Sequence, residues 1–370
     1  MKIGYDSQIF FFEKYGGISR YFTSLIEELI KTNNSYKIFS YVYINEYLSE
    51  FEKKIIDGHK FIKYPYKTTR LLKATSSVIN KIQILNWKPD ILHETFYSYN
   101  RTCPKNIPIV VTIHDMIHEL YPEMFDNNDK TAINKRRSVE RADKIICVSE
   151  TTKQDLMRLL KVPESKISVI YHGFTQLNGS SEQNSNSISF SNVPYLLYIG
   201  KREGYKNFAK YVKSISTSNC LKKDFKLYFF GGGFFTKNEI DIFSELGFSE
   251  KDYSYFEGND YLLQNLLKNA AAFIYPSLYE GFGLPLLEAM QCGCPIVASN
   301  SGSIPEIAKE AAEYFDPTSI DDIATSIQNV VYSNARINNL KYNSRIQIDN
   351  YSWIKAASLT NELYKNILSK

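Results

Sequence analysis

Residues 271–288 read Ala-Ala-Phe-Ile-Tyr-Pro-Ser-Leu-Tyr-Glu-Gly-Phe-Gly-Leu-Pro-Leu-Leu-Glu, and the two carboxylates that bracket the second half, Glu280 and Glu288, organise the reading of the chain. The apolar run 271–277 predicts a buried strand. Pro285 through Met290 predicts a helix with proline in its first turn. Glu280 then lies in a strand-to-helix loop and Glu288 about one turn into the helix. Gly281 and Gly283 let backbone approach a ligand closely, and the helix start behind them offers N–H groups and a positive dipole end, a cradle suited to phosphate.

Similar apolar runs bounded by turn residues recur at 36–44, 90–95, 107–115, 143–150, 166–174, 194–200, 225–233 and 294–299, with helical patterns between many of them. Alternating strands and helices predict α/β architecture with parallel sheets covered on both faces. A length of 370 residues predicts two domains. We place the first at 1–174, a Ser/Asn-rich linker at 175–193 and the second at 194–350. The amphipathic stretch 351–370, with Trp353, Ala357, Leu359, Leu363 and Ile367 as inward candidates, can cap its own domain or return to the first.

Composition is that of a soluble protein: 44% hydrophobic residues and a mean hydropathy of −0.30. A net charge of +4 is too mild to argue for nucleic-acid binding. Five cysteines at 103, 147, 220, 292 and 294 fit neither a disulfide framework nor a zinc site, and predict reduced thiols in the cytoplasm. The start MKIGYDSQIF does not read as a signal peptide, and no apolar run approaches the ~20 residues that span a bilayer. Residues 51–75 hold seven cations against Glu52 and Asp57, 7 − 2 = +5, interleaved with Phe51, Phe61, Ile62, Tyr64 and Tyr66. That pattern suits either a solvated loop or peripheral contact with an anionic membrane.

The stretch from Tyr275 to Pro305 resembles the signature of retaining glycosyltransferases of the GT-B fold, in particular glycosyltransferase family 4. The resemblance runs from GGISRYF at 16–22 to the final YSWIK helix. It implies two Rossmann-like domains with parallel sheets facing across a cleft, and a last helix that packs on the first domain. It also implies a nucleotide diphosphate sugar as donor substrate, with no cofactor and no metal. Glu280 would lie near the transferred sugar and its phosphate, and Glu288 would bond the ribose hydroxyls. Gly281, Phe282, Gly283 and Leu284 would form the phosphate-side loop. In GKREGYKNF, at 200–208, Arg202 and Lys206 resemble the family's cation pair on the leaving diphosphate. The common form has Arg directly before the Lys; here that position is Tyr205, so Arg202 or Lys201 must serve as first member.

Gly231, in the FFGGG strand end, suits close approach to a nucleotide. Gly16 and Gly17 resemble the glycine loop whose backbone N–H reaches the donor diphosphate. His114, at a strand end, occupies the place of a family histidine near the donor sugar's 6-hydroxyl, with Asp115 as its orienter or a cap. Ser149 caps a helix or lines the acceptor side.

The loop at 200–208 is similar to that of mannosyltransferases of bacterial surface polysaccharides, O-antigen and lipopolysaccharide types. This favours GDP-mannose over UDP sugars, with a glycan or lipid-linked acceptor. A non-catalytic sugar-nucleotide or glycan-binding subunit is expected to have lost Glu280, Glu288 or Lys206, and all three are present. A NAD-dependent dehydrogenase is disfavoured because no G-x-G-x-x-G follows the first strand.

Overall fold

The computed structural model describes residues 1–174 and 193–369. The chain divides into two compact units, Met1–Gly173 with Ser352–Lys370, and Phe174–Tyr351. Residues 175–192, most of the stretch read as a linker, lie outside the described residues.

In the first unit the strands are β1 Lys2–Tyr5, β2 Ser35–Ile38, β5 Ile91–Glu94, β6 Ile109–Ile113, β7 Lys144–Cys147 and β8 Ile167–Val169, ordered β2-β1-β5-β6-β7-β8. Every pair is parallel. A short ribbon, β3 Val42–Tyr43 with β4 His59–Lys60, stands apart. The main sheet is covered on both faces, and the side-chain period of two sorts residues between two cores. Ile3, Tyr5, Ile91 and Val110 enter one. Leu92, Ile109, Val111 and Ile113 enter the other.

The first of these cores also takes Trp353, Ala356, Ala357, Leu363 and Tyr364 from the C-terminal Trp353–Leu368 helix. Spacings of three and four put these on one face. Leu359, expected inward, is instead exposed. Tyr364 is tied to the sheet by its hydroxyl, 2.9 Å from the Tyr5 hydroxyl and 2.7 Å from His93 Nδ1. Gly173 is required by close approach: a Cβ there would lie 2.0 Å from the Trp353 backbone nitrogen. Because that neighbour is backbone, Gly173→Ala is expected to lower unfolding free energy by about 2–3 kcal/mol, read from a shifted denaturation midpoint.

The basic run 51–75 does not present all its aromatics to solvent. Tyr64 stacks on Phe11 at 4.7 Å and donates its hydroxyl to the Phe11 carbonyl, and Phe51 and Phe61 are half-buried. Ile62 and Tyr66 are exposed.

In the second unit β9 Tyr195–Ile199, β10 Lys226–Phe230, β11 Tyr253–Phe256, β12 Ala272–Tyr275, β13 Ile296–Ser299 and β14 Ala312–Phe315 form a sheet ordered β11-β10-β9-β12-β13-β14. All its pairs are parallel too. The order reverses at β9, so β9 and β12 flank the topological switch point. Open α/β sheets bind their ligands at such a point, outside the carboxyl ends of the strands.

Candidate active site

Two sequence-predicted residues meet at that switch point. The loop leaving β9 closes in a 3-10 turn, Gly204–Lys206, and the loop leaving β12 carries Glu280. Lys206 Nζ lies 2.6 Å from Glu280 Oε1. Both side chains are largely sheltered, with 16% and 10% of their surface exposed. The two loops are also joined through backbone: Leu278 N–H donates to the Tyr205 carbonyl at 2.7 Å. Asn207, in left-handed conformation, sends its amide to the carbonyls of Pro276 (3.0 Å) and Pro317 (2.8 Å). The Tyr198 hydroxyl donates to the Lys201 carbonyl at 2.5 Å.

Glu280 is braced from below. The Ser303 N–H and hydroxyl both reach the Glu280 carbonyl, at 3.1 and 3.0 Å. Gly302 passes so close that a Cβ would lie 2.8 Å from the Glu280 nitrogen. Gly283, at φ +96°, turns the chain into the Leu284–Gln291 helix, on which Glu288 is half-buried. Gly281 is buried in the same loop. The Phe282 ring is 4% exposed and edge-on to Tyr351, so what Phe282 can offer a ligand is backbone. Leu284 opens the helix.

Arg202 departs from expectation. Its side chain is 2% exposed, and its Nε donates to Glu239 at 2.6 Å. Nη1 donates to the Gly231 carbonyl (2.9 Å) and Nη2 to the carbonyls of Gly233 (2.7 Å) and Phe234 (3.1 Å). The guanidinium lies 4.8 Å from the Phe235 ring centre. Arg202 is therefore a clasp on the triple-glycine loop, not a cation held open for phosphate. Gly231, Gly232 and Gly233 all take φ near +80°, a conformation glycine adopts without strain. Burial alone would raise the Glu239 carboxyl. Its bonds from Arg202 and from the Thr236 helix cap outweigh that and hold it below the usual range. In the same loop Lys201, the other candidate for first member of the cation pair, is exposed.

In the first unit His114 follows β6. It is 8% exposed, and its Nε2 has no hydrogen-bond partner among the described residues. Burial, and more weakly the nearby Lys135 charge, lower its pKa to about 4 against the pull of Asp115. Gly16 caps the Gly17–Leu29 helix in extended conformation. The Glu13 carboxylate lies over Gly16 and accepts from Ser19 N–H at 3.0 Å, so an acid of the chain already sits at the helix start offered to a phosphate. Ser149 accepts from Thr152 N–H as a helix cap.

A family model for glycosyltransferase family 4 matches residues 15–175, and one for glycosyl transferases group 1 matches residues 180–347. The chain belongs to the GT-B glycosyltransferases.

Among curated relatives, O-antigen chain mannosyltransferase B of Escherichia coli is 28% identical over 69% of this chain and 70% of its own length. Serotype-specific mannosyltransferase WbdA of Escherichia coli is 26% identical over 78% of this chain, which spans 38% of that longer protein. Among solved structures, sucrose-phosphate synthase of Thermosynechococcus elongatus superposes with a TM-score of 0.77 at 18% identity, covering 100% of this chain and 99% of that one.

Several residues of this glycosyltransferase that position the candidate site carry no sequence signal. Ser303 and Asn207 act on backbone carbonyls, and Gly302 by passing close to the Glu280 backbone. Lys135 is wholly buried: its Nζ donates to the Asp115 carbonyl and to Glu119, each at 2.8 Å. With the Tyr97 hydroxyl, which accepts from His114 N–H at 3.1 Å, it pins the strand end that carries His114.

Three buried histidines, His93, His114 and His172, give the first unit its acid sensitivity, and for His93 and His114 the pH range is defined. Burial, with a smaller push from His114, lowers the His93 pKa to about 3. The unfolded chain takes up a proton at each near pH 6.5, while the folded chain does so only near 4 and 3. Between those limits the unfolded form binds more protons at these histidines, so their contribution to stability is complete above pH 6.5 and is lost as pH falls. The loss is expected to reach on the order of 3 kcal/mol per histidine by pH 4. His114→Gln should make the melting-temperature profile less steep between pH 6.5 and 4, with His93 and His172 keeping the rest of the dependence.

Proposed function

We propose that the protein transfers mannose from GDP-mannose, with retention of anomeric configuration, to a hydroxyl of a glycan or lipid-linked oligosaccharide. The Lys206–Glu280 pair at the β9/β12 switch point carries this reading. It pairs a cation suited to a leaving diphosphate with a carboxylate suited to the transferred sugar's hydroxyls. The mannosyltransferases among the relatives support the choice of sugar.

In this scheme the bond from sugar C1 to the donor's phosphate oxygen breaks, and a bond from C1 to the acceptor oxygen forms on the same face. The acceptor's proton passes to the departing phosphate, and GDP leaves. Lys206 and Lys201 carry the charge that grows on the diphosphate, in place of a metal ion. Backbone N–H groups at Gly283 and Leu284 assist them. Glu288 holds the ribose. We place the reaction in the cytoplasm, in keeping with five free thiols.

A thermal-shift panel of GDP, UDP, ADP and dTDP with their sugars, in EDTA, tests the donor. Stabilisation by GDP-mannose that is lost in Glu288→Ala and Lys206→Ala is the expected result. A shift confined to UDP sugars would replace the donor, and no shift in folded protein would remove the transferase scheme. Proton NMR of the product's anomeric signal tests retention.

A further inference from the structure

The Thr69–Trp87 helix is apolar on two opposite sides. One side is accounted for: Ser76, Asn80 and Ile84 are buried. Asn80 accepts from Tyr41 N–H at 2.9 Å and donates to the Ser7 hydroxyl at 2.8 Å. On the other side Leu71, Val78, Ile82 and Leu85 are 66%, 59%, 51% and 53% exposed. Their spacings of seven, four and three residues line them up as one stripe along the helix. A helix that rests on its domain by one side normally shows polar residues on the other. Single exposed apolar side chains need no explanation, but an aligned set does.

Two more exposed apolar side chains precede the helix. Ile62 and Tyr66 are 84% and 86% exposed. Lys67 Nζ lies 5.0 Å from the Tyr66 ring, and Lys73 Nζ lies 4.5 Å from the half-exposed Phe12 ring. The helix itself carries Arg70, Lys73 and Lys81 and no Asp or Glu. The two acids of the preceding run are already paired, Glu52 with Lys54 at 2.6 Å and Asp57 with Lys37 at 3.1 Å. An apolar strip rimmed by cations, with its few acids neutralised, complements a surface that is apolar below and anionic above.

We infer that this face seats the protein on an anionic lipid bilayer, the strip entering the acyl boundary and the Lys and Arg stems reaching the headgroups. A second copy of the chain is a poorer occupant, because it would bring the same cations against these. The inference stands independently of the donor reading, since none of these side chains belongs to the Lys206–Glu280 site.

The test is flotation of the full chain with phosphatidylcholine vesicles, with and without phosphatidylglycerol. We expect binding only to the anionic vesicles, weakened by salt, and at least about tenfold less partitioning for the Val78→Asp, Ile82→Asp double variant. Both positions are exposed, and an unchanged melting temperature of the variant serves as the control for fold. Equal binding to neutral vesicles, or no binding by folded wild-type protein, would overturn the inference. So would a wild-type dimer in light scattering that the double variant dissolves, which would assign the face to a second copy.

Discussion

Lys206→Ala is expected to lower kcat/KM by about 10²- to 10³-fold, the usual effect of removing one preorganised group that meets charge developing in a transition state. Glu280→Gln should produce a loss of the same order. The two groups touch at 2.6 Å, so their effects are coupled. The double variant should be little worse than the worse single one, because either substitution alone already dismantles the pair. Each variant leaves one partner in a sheltered place without its counter-charge, so a modest fall in melting temperature accompanies the loss of activity. Single-turnover kinetics with the donor separates the two: a site effect slows chemistry in protein that is still fully folded. An unchanged rate in folded Lys206→Ala protein would remove Lys206 from the site.

Arg202→Met has the opposite signature. Truncating one partner of a buried ion pair costs about 3–5 kcal/mol, chiefly because the remaining charge is left buried alone. Here that charge is Glu239, and the carbonyls of Gly231, Gly233 and Phe234 lose their donors as well. The expected result is a second unit that melts far earlier, whether or not nucleotide is present. The Arg202→Met, Glu239→Gln double variant recovers part of the loss by removing the orphaned carboxylate. If Arg202 instead served phosphate, the single variant would keep its apo stability and lose only the nucleotide-induced shift. Denaturant unfolding with and without GDP distinguishes the two outcomes.

The strand–loop–helix at 272–291 was legible because its determinants are local: a glycine at φ +96°, a proline in the first helical turn and an apolar run before both. The sheets were legible for the same reason, strand by strand. Arg202 was not. Its residue type is the same whether it meets a phosphate or a carboxylate, and Glu239 lies 37 residues further on. Lys135 was hidden in TAINKRRSVER, which reads as a solvated helix until Asp115 and Glu119 are seen to converge on its ammonium group. The Thr69–Trp87 helix defeats periodicity in another way. Apolar residues on two opposite sides cancel in the pattern, and only the fold decides which side is covered.

The closing of the first unit by a helix from the far end of the chain bears on how the protein is made. Residues 174–351 are contiguous and can collapse as soon as they have been synthesised. The earlier 173 residues cannot finish, since the core that holds Tyr5, Tyr21 and Phe22 waits for Trp353 and Tyr364. The segment translated first is therefore completed last, and during that interval its unfinished core is the surface a chaperone or a protease meets. Loss of the last sixteen to eighteen residues would thus injure the amino-terminal unit, leaving the adjacent carboxy-terminal one with its own core intact.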